Sequence, residues 1–213
     1  MFKKYVTEFV GTLILVLSIC LTGHPLVIGA TLIAIIYWGG PISGAQYNPA
    51  VTLSFWMLDK ITIGQAMAFV GVQLAGAILG AGLSTIIIPD IVIPATNPGA
   101  STGTLFAAEV AFTFLLVGVI CLVAHYPKTE GNKYYGVAIS AAVVIGIYAV
   151  ADISGAVFNP AVGTGPQLIG NWTAHYSLKD VPLYYVAPVT GSILATLFFK
   201  YFLLKPAKKS ASF

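Results

Sequence analysis

Apolar residues fall along the chain in six long runs, near 5–22, 26–42, 64–87, 104–124, 134–151 and 183–203, each bounded by Gly, Pro or charged residues. A bilayer core about 30 Å thick takes about 20 apolar residues per spanning helix, so six spans consume more than half the chain and leave only short loops. The pattern predicts an all-α membrane protein with no sizeable soluble domain. Two shorter runs, 49–57 and 160–169, sit between the second and third spans and between the fifth and sixth. They are too short to cross. The first run follows Lys3 and Lys4 as a signal sequence would, but Glu8 interrupts it and no Ala-x-Ala-like cleavage site follows, so it reads as a retained span.

Composition agrees with the hydropathy pattern. The 213 residues are 58% hydrophobic and only 8% charged, with two Cys and a formal net charge of +3. Such a chain leaves no room for a nucleic-acid face, a metal cluster or a disulfide framework. The charge is instead a topology signal. Lys3, Lys4, Lys60, Lys128, Lys133, Lys200, Lys205, Lys208 and Lys209 fall on one side of a six-span arrangement and only Lys179 on the other. Both termini are therefore expected in the cytoplasm, with the loops at 22–26, 88–103 and 170–182 outside. The last lysines anchor the final span to anionic headgroups of the lipid bilayer.

The chain also repeats itself. Ile42-Ser43-Gly44-Ala45-Gln46-Tyr47-Asn48-Pro49-Ala50-Val51 recurs as Ile153-Ser154-Gly155-Ala156-Val157-Phe158-Asn159-Pro160-Ala161-Val162, eight identities in ten. Glu8, Thr12, Leu15, Val16, Ile19 and Cys20 recur at constant spacing as Glu109, Thr113, Leu116, Val117, Ile120 and Cys121. Residues 1–213 thus read as a single membrane channel domain built of halves 1–95 and 104–205. Each half has three spans, an odd number, so the second enters the membrane with opposite polarity: an inverted repeat.

Asn48-Pro49-Ala50 and Asn159-Pro160-Ala161 open the two short runs, with Asn suited to cap a helix and Pro to its first turn. About nine residues rise only about 13 Å, so two such half-helices entering from opposite faces meet near the bilayer centre. Backbone that ends there is tolerated only where it is buried in protein or lines a wet cavity, which points to a pore.

The paired Asn-Pro-Ala motifs, the inverted halves and the intramembrane Glu8 and Glu109 make the chain similar to the aquaporin family, the major intrinsic proteins, over nearly its whole length. The resemblance implies an hourglass of six spans and two re-entrant half-helices, a homotetramer with one pore per subunit, and passive passage of water or small neutral solutes. It implies no cofactor and no covalent chemistry, so the chain is not expected to be an enzyme. Helix N-termini at the midplane oppose cations and protons. The Asn48 and Asn159 amides are expected to donate to passing water, and carbonyls of 43–47 and 154–158 to accept from it. Glu8 and Glu109 are expected to accept hydrogen bonds from the re-entrant segment of their own half, ahead of a proton-relay role.

The outer constriction departs from the family pattern. Typical members place an Arg just after the second motif, where this chain has Val162; the other three family positions fall at Ile28, Ile147 and Ala156. The expected ring is wholly apolar, and the chain contains no Arg at all. Lys179 is the one cation positioned to reach the outer vestibule. Losing Arg removes a cation barrier and a hydrogen-bond donor, whereas losing bulk widens the passage and an apolar ring can dewet. Gly163 and the pair Tyr184-Tyr185 stand where the glycerol-conducting branch usually has Asp and Pro-Leu, which leans toward water.

Three other functions compete with water conduction. One is a channel mainly for small neutral solutes such as glycerol, urea, ammonia or hydrogen peroxide; another is a closed-pore structural or adhesion protein; the last is an ion leak. Cys20 and Cys121 read as buried small hydrophobes. His125, beside Lys128, Glu130 and Lys133, reads as a solvated loop residue, with a pH gate as the rarer alternative. Gly71-x-x-x-Ala75 and Gly76-x-x-x-Gly80 read as two close-packing seams on the third span.

Overall fold

The computed structural model describes residues 1–204, so Lys205, Lys208, Lys209 and the end of the second half lie outside the described residues. Six helices are long and apolar enough to cross a membrane. They are α1 (Phe2–Thr22), α2 (Pro25–Ser43), α4 (Ile63–Ile87), α5 (Thr102–Ile120), α6 (Tyr135–Ser154) and α8 (Val181–Phe198). Two short helices, α3 (Pro49–Met57) and α7 (Gly165–Ala174), fall between them.

Local chemistry sets the boundaries. Thr62 and Gln65 form a reciprocal capping box at the start of α4, and Ser101 Oγ accepts the Thr104 N–H at the start of α5. Gly44 and Gly155 end α2 and α6 in the left-handed conformation, at φ 95° and 86°, a backbone shape that glycine adopts without steric cost. The repeated Ser-Gly-Ala thus stops both spans and turns the chain back toward the centre.

α1 packs on α2 and α4, and α5 on α6 and α8, while α2 meets α6 across the halves. Each short helix reaches the opposite half: α3 touches α4 and α8, and α7 touches α4 and α1. Two glycines bring α1 and α4 backbone to backbone. A Cβ on Gly76 would stand 2.4 Å from the Phe9 carbonyl oxygen, and one on Gly80 would stand 2.5 Å from that of Leu13. Gly191 of α8 repeats the contact against the Val110 carbonyl oxygen of α5, at 2.6 Å. Gly71 meets nothing within 4 Å, so the Gly71-Ala75 seam expected from the sequence is not used inside the chain.

The second short run differs from the expected helix over 160–169. Residues 160–164 form a run of turns, and regular helix begins only at Gly165 and continues to Ala174, into what the sequence suggested was loop. Thr164 Oγ1 donates to the Pro160 carbonyl at 2.7 Å, offering that backbone a side-chain alternative to helical bonding. Gly163 is pressed against the Tyr184 ring, where a Cβ would approach Tyr184 Cβ to 2.4 Å. At the far end, the left-handed His175 and an Asn171 Nδ2 bond to the Tyr176 carbonyl (2.8 Å) stop the helix.

A wide turn of π-helix, Cys121–His125, finishes α5. The Leu122 carbonyl accepts from the Thr129 hydroxyl and the Val123 carbonyl from Asn132 Nδ2 (2.7 Å), so polar side chains of the next loop satisfy the helix end. A similar turn, Phe199–Leu203, finishes α8.

Candidate functional site: a pore between paired motifs

Each Asn-Pro-Ala motif is held by a carboxylate inside the bundle. Glu8 of α1 is fully buried: Oε1 accepts from Ser43 Oγ (2.6 Å) and the Gln46 N–H (3.0 Å), and Oε2 from the Tyr47 N–H (2.7 Å) and Gln73 Nε2 (2.9 Å). Glu109 of α5 does the same in its half, with Ser154 Oγ (2.7 Å) and the Val157 (3.0 Å) and Phe158 (2.7 Å) N–H groups. A carboxylate is costly in a membrane interior unless such donors surround it. Here two donors in each half are N–H groups of non-helical backbone, and the rest are side chains of the spanning helices.

That backbone is strained in the same places twice. Ala45 and Tyr47 have φ of 48° and 50°, and Ala156 and Phe158 have 50° and 51°. Side chains with a Cβ rarely enter this region, at a cost on the order of 1–3 kcal/mol each, and the carboxylate bonds oppose that strain. Aromatic anchors add to them. The Tyr47 hydroxyl donates to the Ile35 carbonyl (2.9 Å) and the Tyr184 hydroxyl to the Ser154 carbonyl (2.8 Å).

The asparagines cap their own segments and cross to each other's. Asn48 Oδ1 accepts the Ala50 N–H (2.8 Å) and Asn159 Oδ1 the Ala161 N–H (2.9 Å). In the other direction, Asn48 Nδ2 donates to the Phe158 carbonyl (2.9 Å) and Asn159 Nδ2 to the Tyr47 carbonyl (3.0 Å). The sequence suggested that these residues cap the short runs and donate to passing water, and it gave no sign of a bond between the halves. In the structure one hydrogen of each joins the halves, and one remains.

A continuous cavity of about 870 Å³ runs past this junction. It is bordered by Gly23 and Val92 at one end, by Lys60 and Glu130 at the lysine-rich end, and by both asparagines between. Ile28, Ile147, Ala156 and Val162 all line it, so four residues from α2, α6 and the two sides of the second motif come to one lumen. Pro49, Pro160, Ala50 and Ala161 are buried behind the lining. Lys179 does not line the cavity.

Several contributors escaped sequence reasoning. Gln73 of α4 donates to both Glu8 and Thr52 Oγ1 (2.9 Å), and its only signal was a carboxamide in an apolar span. Ser192 Oγ donates to the Ala50 carbonyl (2.6 Å) and Thr196 Oγ1 to Ser54 Oγ (2.7 Å), pinning α3 to α8. His125 overturns the expectation of a solvated loop residue. It packs edge-on against Phe55, ring centroids 4.6 Å apart, and lines the lysine-rich end of the cavity. It is the last residue of the π turn and is half-buried there. Cys20 and Cys121 are buried and unpaired, as expected of small hydrophobes.

Six spanning helices and two short ones gathered on a cavity that runs between opposite ends define an integral, multi-pass membrane channel. The chain belongs to the major intrinsic protein family, whose model matches residues 1–201. It is 34% identical to Aquaporin NIP3-1 of Arabidopsis thaliana over 99% of this chain and 70% of that protein. It is 30% identical to Nodulin-26 of Glycine max over 90% of this chain and 74% of that protein. Human Aquaporin-4 is 31% identical over 81% of this chain, which spans 54% of that longer relative. Among solved structures, the X-ray structure of the aquaglyceroporin from Plasmodium falciparum superposes with a TM-score of 0.80 at 19% identity, covering 94% of this chain and 96% of that one. The protein is therefore a transmembrane channel for water or small solutes and not an enzyme.

Proposed function

We propose that the protein is a passive water channel that also admits other small uncharged molecules, with one pore in each subunit of a homotetramer and both termini in the cytoplasm. The observation that carries this reading is the single cavity shared by the Asn48 and Asn159 amides and the four apolar residues Ile28, Ile147, Ala156 and Val162. On this reading the two halves form an inverted repeat, in which the first motif brings the N-terminus of α3 to the midplane and the second brings the N–H groups of the turns that lead into α7. Their partial positive charge opposes cations and protons. The free hydrogen on each asparagine amide meets the permeating oxygen, and carbonyls of 44–46 and 155–157 accept from it in series.

The apolar constriction favours a second reading, in which small neutral solutes are the main cargo. With Val162 in the ring and no guanidinium in the chain, none of the four ring residues carries a charge or a long polar side chain. Light scattering of proteoliposomes separates the readings, first under an impermeant osmotic step and then under a glycerol gradient. Fast shrinkage with slow glycerol re-entry supports a water channel, and comparable glycerol entry supports the solute filter. No acceleration in either refutes both and favours a closed structural protein.

A further inference from the structure

The connection between the two halves lies against one end of the pore. Val92, Pro94 and Ala95 all border the cavity. The stretch is tied to both halves in turn. The Val92 N–H donates to the Cys20 carbonyl near the end of α1 (2.8 Å), and the Pro94 carbonyl accepts from Gln167 Nε2 of α7 (2.7 Å). Further along, the Thr96 N–H donates to Asp180 Oδ2 (3.4 Å), and Asn97 gives its N–H to the Ile153 carbonyl (2.9 Å) and its Nδ2 to that of Asp152 (3.2 Å) near the end of α6. Backbone held on both sides of a residue fixes where that residue stands.

Ala95 is the residue between these tethers. A Cβ placed on Gly155 would stand 3.0 Å from both the nitrogen and the oxygen of Ala95, so the connector touches the second re-entrant segment one residue before Ala156 of the ring. Ala95 is nevertheless exposed and borders the cavity. With its nitrogen and oxygen set against Gly155, the surface it leaves to the lumen is chiefly its methyl group. The repeat supplies no counterpart at the lysine-rich end. Around Gly44, which matches Gly155, a Cβ would first meet the side chains of Phe55 and Gln46.

We propose that Ala95 is a fifth position of the outer constriction, carried by the connector between the halves, and that its small side chain sets the largest neutral solute the pore admits. Pore diameter at the narrowest ring is what separates neutral molecules of similar chemistry, and a tethered wall cannot yield to a passing solute as a free loop would. The other four ring residues come from α2, α6 and the second motif, so the connector closes a side of the ring that they leave open. The proposal rests on the channel reading above and adds a size-determining residue to it.

The test uses Ala95→Cys in proteoliposomes, treated with methyl or benzyl methanethiosulfonate, with water and glycerol permeability read from the same vesicles by stopped-flow light scattering. Bulk is thus added after folding, and the native Cys20 and Cys121 are fully buried. Before labelling, Ala95→Cys is expected to resemble the parent. The benzyl label is expected to lower the glycerol-to-water permeability ratio about tenfold, the scale on which a tight site discriminates a methylene, and the methyl label to lower it less. Dithiothreitol should restore both. Thr102→Cys, exposed and away from the cavity, should take the label with no change in the ratio. An unchanged ratio in labelled Ala95→Cys overturns the proposal, as does a thiol at 95 that does not react. Equal loss of water and glycerol flux also overturns it, by showing obstruction without selection. Failure of Ala95→Cys to fold does the same, since a side chain open to the lumen has room for one more atom. A parent that passes water but no glycerol overturns the proposal and leaves the channel reading standing, whereas a parent that passes neither overturns both.

Discussion

Asn48 reaches across the molecule: its side-chain amide donates a 2.9 Å hydrogen bond to the carbonyl of Phe158, 110 residues away. Asn159 returns the bond to Tyr47. Each asparagine therefore caps one short segment, ties it to the other, and has one amide hydrogen left over. Aspartate in its place keeps the acceptor that caps Ala50 but sets a carboxylate against the Phe158 carbonyl.

Asn48→Asp is accordingly expected to lose the cross-link, at a cost of about 1–3 kcal/mol, and to place negative charge beside the proposed cation barrier. Proteoliposomes bearing the variant should show a reversal potential that follows an imposed potassium gradient. A potential indistinguishable from that of the parent would count against a midplane barrier.

Removal of either buried carboxylate is expected to be severe. Glu8→Ala strands the Gln46 and Tyr47 N–H groups, and Glu109→Ala those of Val157 and Phe158, each a loss of about 1–3 kcal/mol before the left-handed backbone is counted. Gln73→Leu takes one donor from Glu8 and leaves the backbone bonds in place, so its drop in detergent melting temperature should be clearly smaller. Equal losses for Glu8→Ala and Gln73→Leu would contradict this ordering.

Val162→Arg tests the apolar ring. The side chain is nearly buried yet borders the lumen, so a long guanidinium would extend into the passage. Glycerol and urea entry should fall several-fold more than water flux. Unchanged solute entry would show that the narrowest point lies elsewhere.

Two glycines on one helix should behave in opposite ways. Gly76→Leu forces a Cβ to within 2.4 Å of the Phe9 carbonyl oxygen, so α1 and α4 must separate and the monodisperse folded peak should be lost. Gly71→Ala meets no neighbour and should raise stability by up to about 1 kcal/mol through helix propensity. Size-exclusion profiles and melting curves of the two variants compare them directly.

Hydropathy and the internal repeat suffice to assign the class of protein. Uninterrupted apolar runs fix where helices cross, because lipid leaves backbone groups no other partner, and all six appear within a few residues of their expected limits. The duplicated decapeptide located the first short helix, since Asn and Pro act on backbone next to them in the chain, but placed the second several residues early. Tertiary structure decided what depends on residues far apart: the crossing of the asparagine amides, the service of Gln73 to Glu8, the turns that delay α7 to Gly165, and the placing of His125 against Phe55. None of these has a periodicity or a local motif to betray it. A buried polar atom takes whichever partner the fold brings within about 3 Å, and only the packed bundle determines which one that is.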